Sequence, residues 1–261
     1  MAQFVQECTL RADFGYFRKP DTNDGIVFGY NMLHRPALLG LFGAILGLEG
    51  FQRRGELPEY YQRLRDLRIG IAPEDGRHDR GNFATTTIEY NNGVGYASGE
   101  QGGNWILREQ VLIRPGYRVF VLLDDADDLQ RELGNRLRDA RAVYVPYFGK
   151  NEFPASWQTT ETRRYAVEPF EPGEHEFHIE TLVRKTGAAV PHLNTRTLAR
   201  GRGADRFLYF EQLPVGYDEY LMQYELADFA YATFPWRADG PMDHLYGLSA
   251  QGVEPFVVQL H

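Results

Sequence analysis

Cysteine is nearly absent: Cys8 is the only one in 261 residues. A single thiol excludes an internal disulfide and a cysteine-based zinc site, and it fits a reducing cytoplasm. Lysine is scarce too, with 3 Lys against 25 Arg. No apolar run is long enough to span a bilayer; the longest, near Leu38 to Leu48, is broken by Gly40, Gly43 and Gly47. The start, MAQFVQECTL, has no basic stretch followed by an apolar one, which predicts no secretory leader. Internal repeats and low-complexity tracts are missing. So are the signatures GxGxxG after a strand, the P-loop, HExxH and GxSxG, which removes the common nucleotide, metalloprotease and hydrolase classes.

What is present is ordinary globular composition, 43% hydrophobic and 25% charged, with a net charge of −8. That sign opposes non-specific coating of nucleic acid. The charge is unevenly spread. Residues 184–206 are strongly basic, and residues 207–261 hold eight acids and one Arg. Two solvated faces, or an RNA face and a partner face, both fit this split. The arginine skew fits phosphate recognition and GC-rich codon usage alike.

Along the chain, residues 3–14 alternate. Phe4, Cys8, Leu10, Ala12 and Phe14 lie on one side, and Glu7, Thr9, Arg11 and Asp13 on the other. This predicts a half-buried strand. Pro36 can open a helix carrying Leu38, Leu41, Phe42, Ile45 and Leu46, with Gly50 at its end. Its glycine stripe predicts close packing against another element. Residues 105–113 and 117–123 read as a hairpin around Arg114-Pro115-Gly116. Leu129, Leu133 and Leu137 predict an amphipathic helix over 126–140. Residues 143–147 read as extended. Later strand candidates are 175–183, 207–212, 220–234 and 254–260.

The order is α+β, a ferredoxin-like βαββαβ pattern shared with RNA-recognition folds. It places a domain at 1–170 and a strand-rich C-terminal region at 171–261. An insertion at 51–104 splits the pattern. Its second half is polar and rich in glycine and β-branched residues, a protruding ribbon or an irregular loop.

Several side-chain sets suggest chemistry. His175 and His178 are three apart in a segment that does not look helical, so they point to opposite faces and make no metal pair. His34, His78, Tyr30 and Lys150 would supply the acid, base and cation of a metal-independent ribonuclease. Two basic–aromatic segments offer a different chemistry, with rings for unpaired bases and cations for phosphates. One is Tyr16-Phe17-Arg18-Lys19 and the other Tyr147-Phe148-Gly149-Lys150.

These segments carry a resemblance. "GYFRKPDTN…YNMLHRPALLGLFGAILGL" resembles the N-terminal signature of the CRISPR-associated Cas five family, within the RAMP superfamily. "YVPYFGKNEFPA" is similar to its second, glycine-rich signature, and "NWILREQVLIRPGYRVFV" to its strand pair. The matches run in family order over residues 15–155. At "NMLHRP" this chain departs from the family, where two or more prolines are usual.

The resemblance implies a non-catalytic subunit of a type I CRISPR effector (Cascade), closest to the I-B-like branch. Such a subunit is cytoplasmic, needs no cofactor or metal, and binds and caps the 5′ handle of the crRNA. Its partners are the Cascade backbone subunit and large subunit; target DNA is met only through the complex, and no membrane is involved. One branch of the family cleaves repeat RNA itself, and an endoribonuclease is the alternative. A thumb over the RNA maps to about 73–104. The implied RNA-binding residues are Tyr16, Phe17, Arg18, Lys19, Tyr30, His34, Arg35, Arg77, Arg80, Arg108, Phe148, Gly149, Lys150, Asn151 and Phe153. For Lys19 and Lys150 to share one end of the sheet, the last strand of the domain must lie near Ser156 to Val167.

Overall fold

The computed structural model describes residues 3–20, 25–93, 104–185, 191–193, 207–238 and 242–261. In chain order its main elements are β1 (Gln3–Arg11), α1 (Arg35–Leu46), α2 (Glu59–Leu64), β2 (Ile69–Pro73), β3 (Thr85–Gly93), β4 (Asn104–Ile113) and β5 (Gly116–Asp124). There follow α3 (Asp128–Arg138), β6 (Arg163–Pro169), β7 (Leu208–Asp218), β8 (Gln223–Ala232), β9 (Leu245–Ala250) and β10 (Val253–Gln259). The chain is thus mixed and rich in strand.

Six strands form one antiparallel sheet in the order β10-β9-β6-β1-β5-β2. The sheet curls until its ends meet. Ile69 N–H donates to His261 C=O at 3.2 Å, and His261 N–H returns to Ile69 C=O at 3.0 Å. A strap near residues 179–182 stitches the same seam: Glu180 N–H donates to Val257 C=O, and Leu182 N–H to Ile71 C=O. Residues 245–259 therefore complete a sheet begun by 3–169, so the boundary read near residue 170 falls between strands of one sheet.

β1 sits at the centre and is buried on both faces, not half-buried as its alternation suggested. Phe4, Cys8 and Leu10 join the core under the helices, while Val5 joins Phe120, Leu122, Tyr165 and Leu248 inside the curl. The polar members of that inner face are satisfied in place. The Glu7 carboxylate accepts from Tyr165 Oη at 2.6 Å and from Arg118 Nε at 2.9 Å. Burial raises the Cys8 thiol to about 12, with Glu7 adding to it, so that cysteine is an inert core residue.

The strand pair expected at 105–123 does not form. β5 pairs with β1 and with β2, and β4 turns away to pair with β3 in a separate ribbon. The reason is burial. Every residue of β2, IGIAP, is buried, so this short run takes the sheet position. The ribbon runs in register from Thr85↔Leu112 to Gly93↔Asn104. Its second strand lies beyond the 73–104 span read for a thumb; residues 94–103 of that span lie outside the described residues. Residues 143–147, read as extended, form no strand. Of the run 175–183, only Val183 belongs to a strand, Val183–Arg184.

The first helix starts at Arg35, with Pro36 in its first turn, and ends at Gly47 rather than Gly50, with Gly47 left-handed at φ 80°. The stripe does mark close packing. A Cβ on Gly43 would strike the Tyr60 side chain on α2, and one on Gly47 would meet Val143 at 2.9 Å.

Candidate nucleic-acid interface

The first basic–aromatic segment is held by a two-residue ladder, Phe17–Arg18 against Gly29–Tyr30. Lys19 N–H donates to Phe28 C=O at 2.9 Å, which fixes the backbone just beyond it. Arg18 is exposed. Lys19 Nζ lies 3.5 Å from the Glu211 carboxylate and 5.1 Å from the Tyr30 ring centre. Residues 21–24, the Thr/Asn-rich part of the signature, lie outside the described residues.

The second segment is a tight loop. Phe148 N–H donates to Phe153 C=O at 2.8 Å, and Phe153 N–H to Lys150 C=O at 2.9 Å. Gly149 has φ 83°, a conformation that favours glycine. The two segments, 131 positions apart in the sequence, are pressed together. Tyr16 N–H donates to Phe148 C=O at 3.0 Å. A Cβ at Gly149 would overlap the Tyr16 carbonyl oxygen, so only glycine allows this approach. The last domain strand begins after the loop, at Arg163, in keeping with the arrangement that joins the segments.

The base of the ribbon completes the arrangement. Lys150 pairs with the buried Glu109 carboxylate on β4 and lies 4.3 Å from the Tyr90 ring centre on β3 and 5.2 Å from that of Tyr16. Burial, with the Glu109 charge adding to it, pushes the Tyr16 phenol up to about 12. Neither Glu109 nor Tyr90 stood out in the sequence. Their only sign there is the alternation of β4, which puts Glu109 on the inward face beside Val111.

The remaining expected residues divide by role. Tyr16, Phe17, Tyr30, Phe148 and Phe153 are all buried. Phe17 and Phe148 rings stand 5.6 Å apart, each near Tyr117, so these rings are core and offer no open face for a base. Arg35 is a structural tie: its guanidinium donates to the carbonyls of His261, Val215, Arg65 and Leu67. Arg77 Nε pairs with Glu74 at 2.8 Å and its NH1 reaches Arg114 C=O. Arg80 is exposed in a left-handed turn at φ 50°. Arg108 faces solvent on the ribbon, 2.9 Å from Glu89. Asn151 is exposed beside Lys150.

His34 caps α1, its Nδ1 accepting from Ala37 N–H at 3.4 Å. Its ring packs against Phe17, Tyr30 and Tyr224, and burial drives its pKa down to about 3. It is therefore neutral near pH 7 and poorly placed to exchange protons. His78 belongs to another aromatic cluster, with Phe83, Phe207 and Tyr231. The quartet weighed for ribonuclease chemistry is thus split three ways: His34 with Tyr30, His78 in its own cluster, and Lys150 against Glu109 and Tyr90. Among the described residues, no group of His, Cys, Asp and Glu could hold a metal, and no helix is long and apolar enough to cross a membrane. His175 and His178 are both exposed. Most of the basic stretch 184–206, including Gly201–Gly203, lies outside the described residues.

No protein-family model matches the chain, and no curated protein does. Solved structures do. One is a chain of a CRISPR RNA-guided surveillance complex, with 13% identity over 89% of this chain and 91% of that one, TM-score 0.47. A CRISPR protein from Archaeoglobus fulgidus matches with 10% identity over 97% and 98%, TM-score 0.48. A chain of the type III-B Cmr-beta complex bound to cognate target RNA and AMPPnP matches with 9% identity over 88% and 86%, TM-score 0.47. Each of these matches spans most of both chains.

Proposed function

We propose that this protein is a CRISPR-associated RNA-binding subunit of the Cas five type, which caps the 5′ handle of a crRNA within a type I effector without cutting it. One observation carries the reading. The two signature-like segments meet, Tyr16 bonded to Phe148 and Lys150 set against the ribbon. The order β6-β1-β5-β2, with α1 and α3 as the crossovers, supports a ferredoxin-like βαββαβ domain in which β3–β4 is the inserted thumb. In this reading Arg18, Lys19 and Lys150 meet phosphates, and the thumb lies over the strand. Lys19 and Lys150 keep their buried carboxylate partners, Glu211 and Glu109, and add a phosphate contact on binding.

The test begins with the protein purified from its host and the bound RNA sequenced. A synthetic copy of that RNA is then titrated against wild type and an Arg18→Ala/Lys19→Gln variant. Loss of two phosphate contacts lowers affinity and makes the salt slope shallower by about 1.4 for a single strand. Unchanged affinity and slope, or a host preparation free of RNA, would overturn the proposal. Cleavage of the RNA in EDTA would replace it with the ribonuclease reading.

A further inference from the structure

Beside α1 lies a cleft of about 470 Å³, a size that suits a small planar ligand. One part of its lining is made of small residues on α1: Ala37, Gly40 and Ala44. The rest is largely aromatic. Tyr144 and Tyr147 come from the segment that leads into Gly149, which itself lines the cleft. Phe51, Tyr217 and Tyr224 are packed together, with ring centres 6.3 Å apart for Phe51–Tyr217 and 5.0 Å for Tyr217–Tyr224. Tyr60 also lines the cleft.

Two features select the ligand. Among the described residues lining the cleft, none is charged, which disfavours a phosphate or another ion. The walls pair ring faces with phenolic hydroxyls, which suits a flat aromatic ring bearing hydrogen-bonding edges. The wall is also set in advance. Val143 N–H donates to Ile45 C=O at 3.1 Å and Tyr144 N–H to Ala44 C=O at 3.0 Å, at the end of α1. Tyr144 and Tyr147 nonetheless remain 58% and 42% exposed, so their rings are available at little ordering cost.

We propose that the cleft receives one unstacked nucleobase of the single strand whose backbone passes Lys150. This rests on the RNA-binding reading above. It adds a base-holding site where that reading has only phosphate contacts, and it transfers the stacking role from the buried rings to Tyr144 and Tyr147.

The test uses the full chain and the synthetic copy of its bound RNA, made with one abasic nucleotide at each position in turn. One position should weaken wild-type binding about tenfold when its base is removed. A Tyr144→Ala/Tyr147→Ala variant should bind the intact RNA about tenfold more weakly and show no further loss at that position, while Tyr147→Phe keeps the wild-type pattern. Intact RNA binding with no sensitive position, or with additive losses, overturns the base site and leaves the RNA-binding reading standing. So does a double variant that keeps its RNA affinity but loses a co-purifying protein, which would give the cleft to a peptide. If wild type retains no RNA, both proposals fall together.

Discussion

Lys150 is one of three lysines, and its ammonium is occupied in two ways. Phenol rings lie around it, and the Glu109 carboxylate, with only 5% of its side chain exposed, is its ion partner. Removing the lysine alone strands a buried negative charge. Lys150→Met should cost about 3–5 kcal/mol, and Lys150→Met with Glu109→Gln should recover most of it. Urea midpoints of the two variants check this; equal losses would mean that the pair is not coupled. The result also guards the functional test, since a lone Lys150 variant would confuse unfolding with lost RNA contact. At this scale the sequence singled out individual cations without showing what they touch. Lys19 and Lys150 were legible from their aromatic and glycine neighbours. Glu211 and Glu109 were not, because their pairing is made by tertiary approach across long stretches of chain. The buried aromatics were legible as apolar and misread as stacking faces, since composition does not distinguish a ring in a core from one at a surface.

Elements were read well where the pattern was long. The helix of α1, its proline start and its glycine stripe all followed from spacing, and so did α3, whose Asp127 caps the Leu129 and Gln130 N–H groups. β2 escaped notice because five consecutive buried residues have no alternation and lie inside a polar insertion. The mistake then passed to β4, which took the vacant role on paper. The cap of α1 gives a pH prediction. His34 is neutral in the fold, with a pKa of about 3 set by burial, and titrates near its ordinary value of about 6.5 once unfolded. Between those values the unfolded chain holds the extra proton. Stability contributed by this site is therefore full above about 6.5 and falls on acidification, by about 1.4 kcal/mol per pH unit. His34→Asn keeps an acceptor for the Ala37 N–H. Its plot of unfolding free energy against pH, from 6.5 to 4.5, should be shallower by that amount; a parallel plot would show that the imidazole is already charged in the fold.

At the scale of the whole molecule, the first and last parts of the chain share one sheet, and Arg35 binds four carbonyls from three separate places, one of them His261. Such wiring predicts one cooperative unfolding transition. Tryptophan fluorescence reports on both parts, with Trp157 against the helical core and Trp236 buried in the C-terminal one. It should share its urea midpoint with far-ultraviolet circular dichroism. Two separated midpoints would instead give residues 171–261 an independence that the boundary near 170 implies.

The curled sheet also limits how a neighbour can attach. Its two outer strands are already spoken for, one by His261 and Leu182, the other by Glu180. Little main-chain template is left there for an incoming segment to extend. Among the described residues β3 pairs with β4 alone, so the outer margin of the ribbon still offers main-chain groups to a further strand. Among the described residues, the ribbon proposed to lie over the RNA is thus also an element whose outer margin keeps main-chain groups for a further strand.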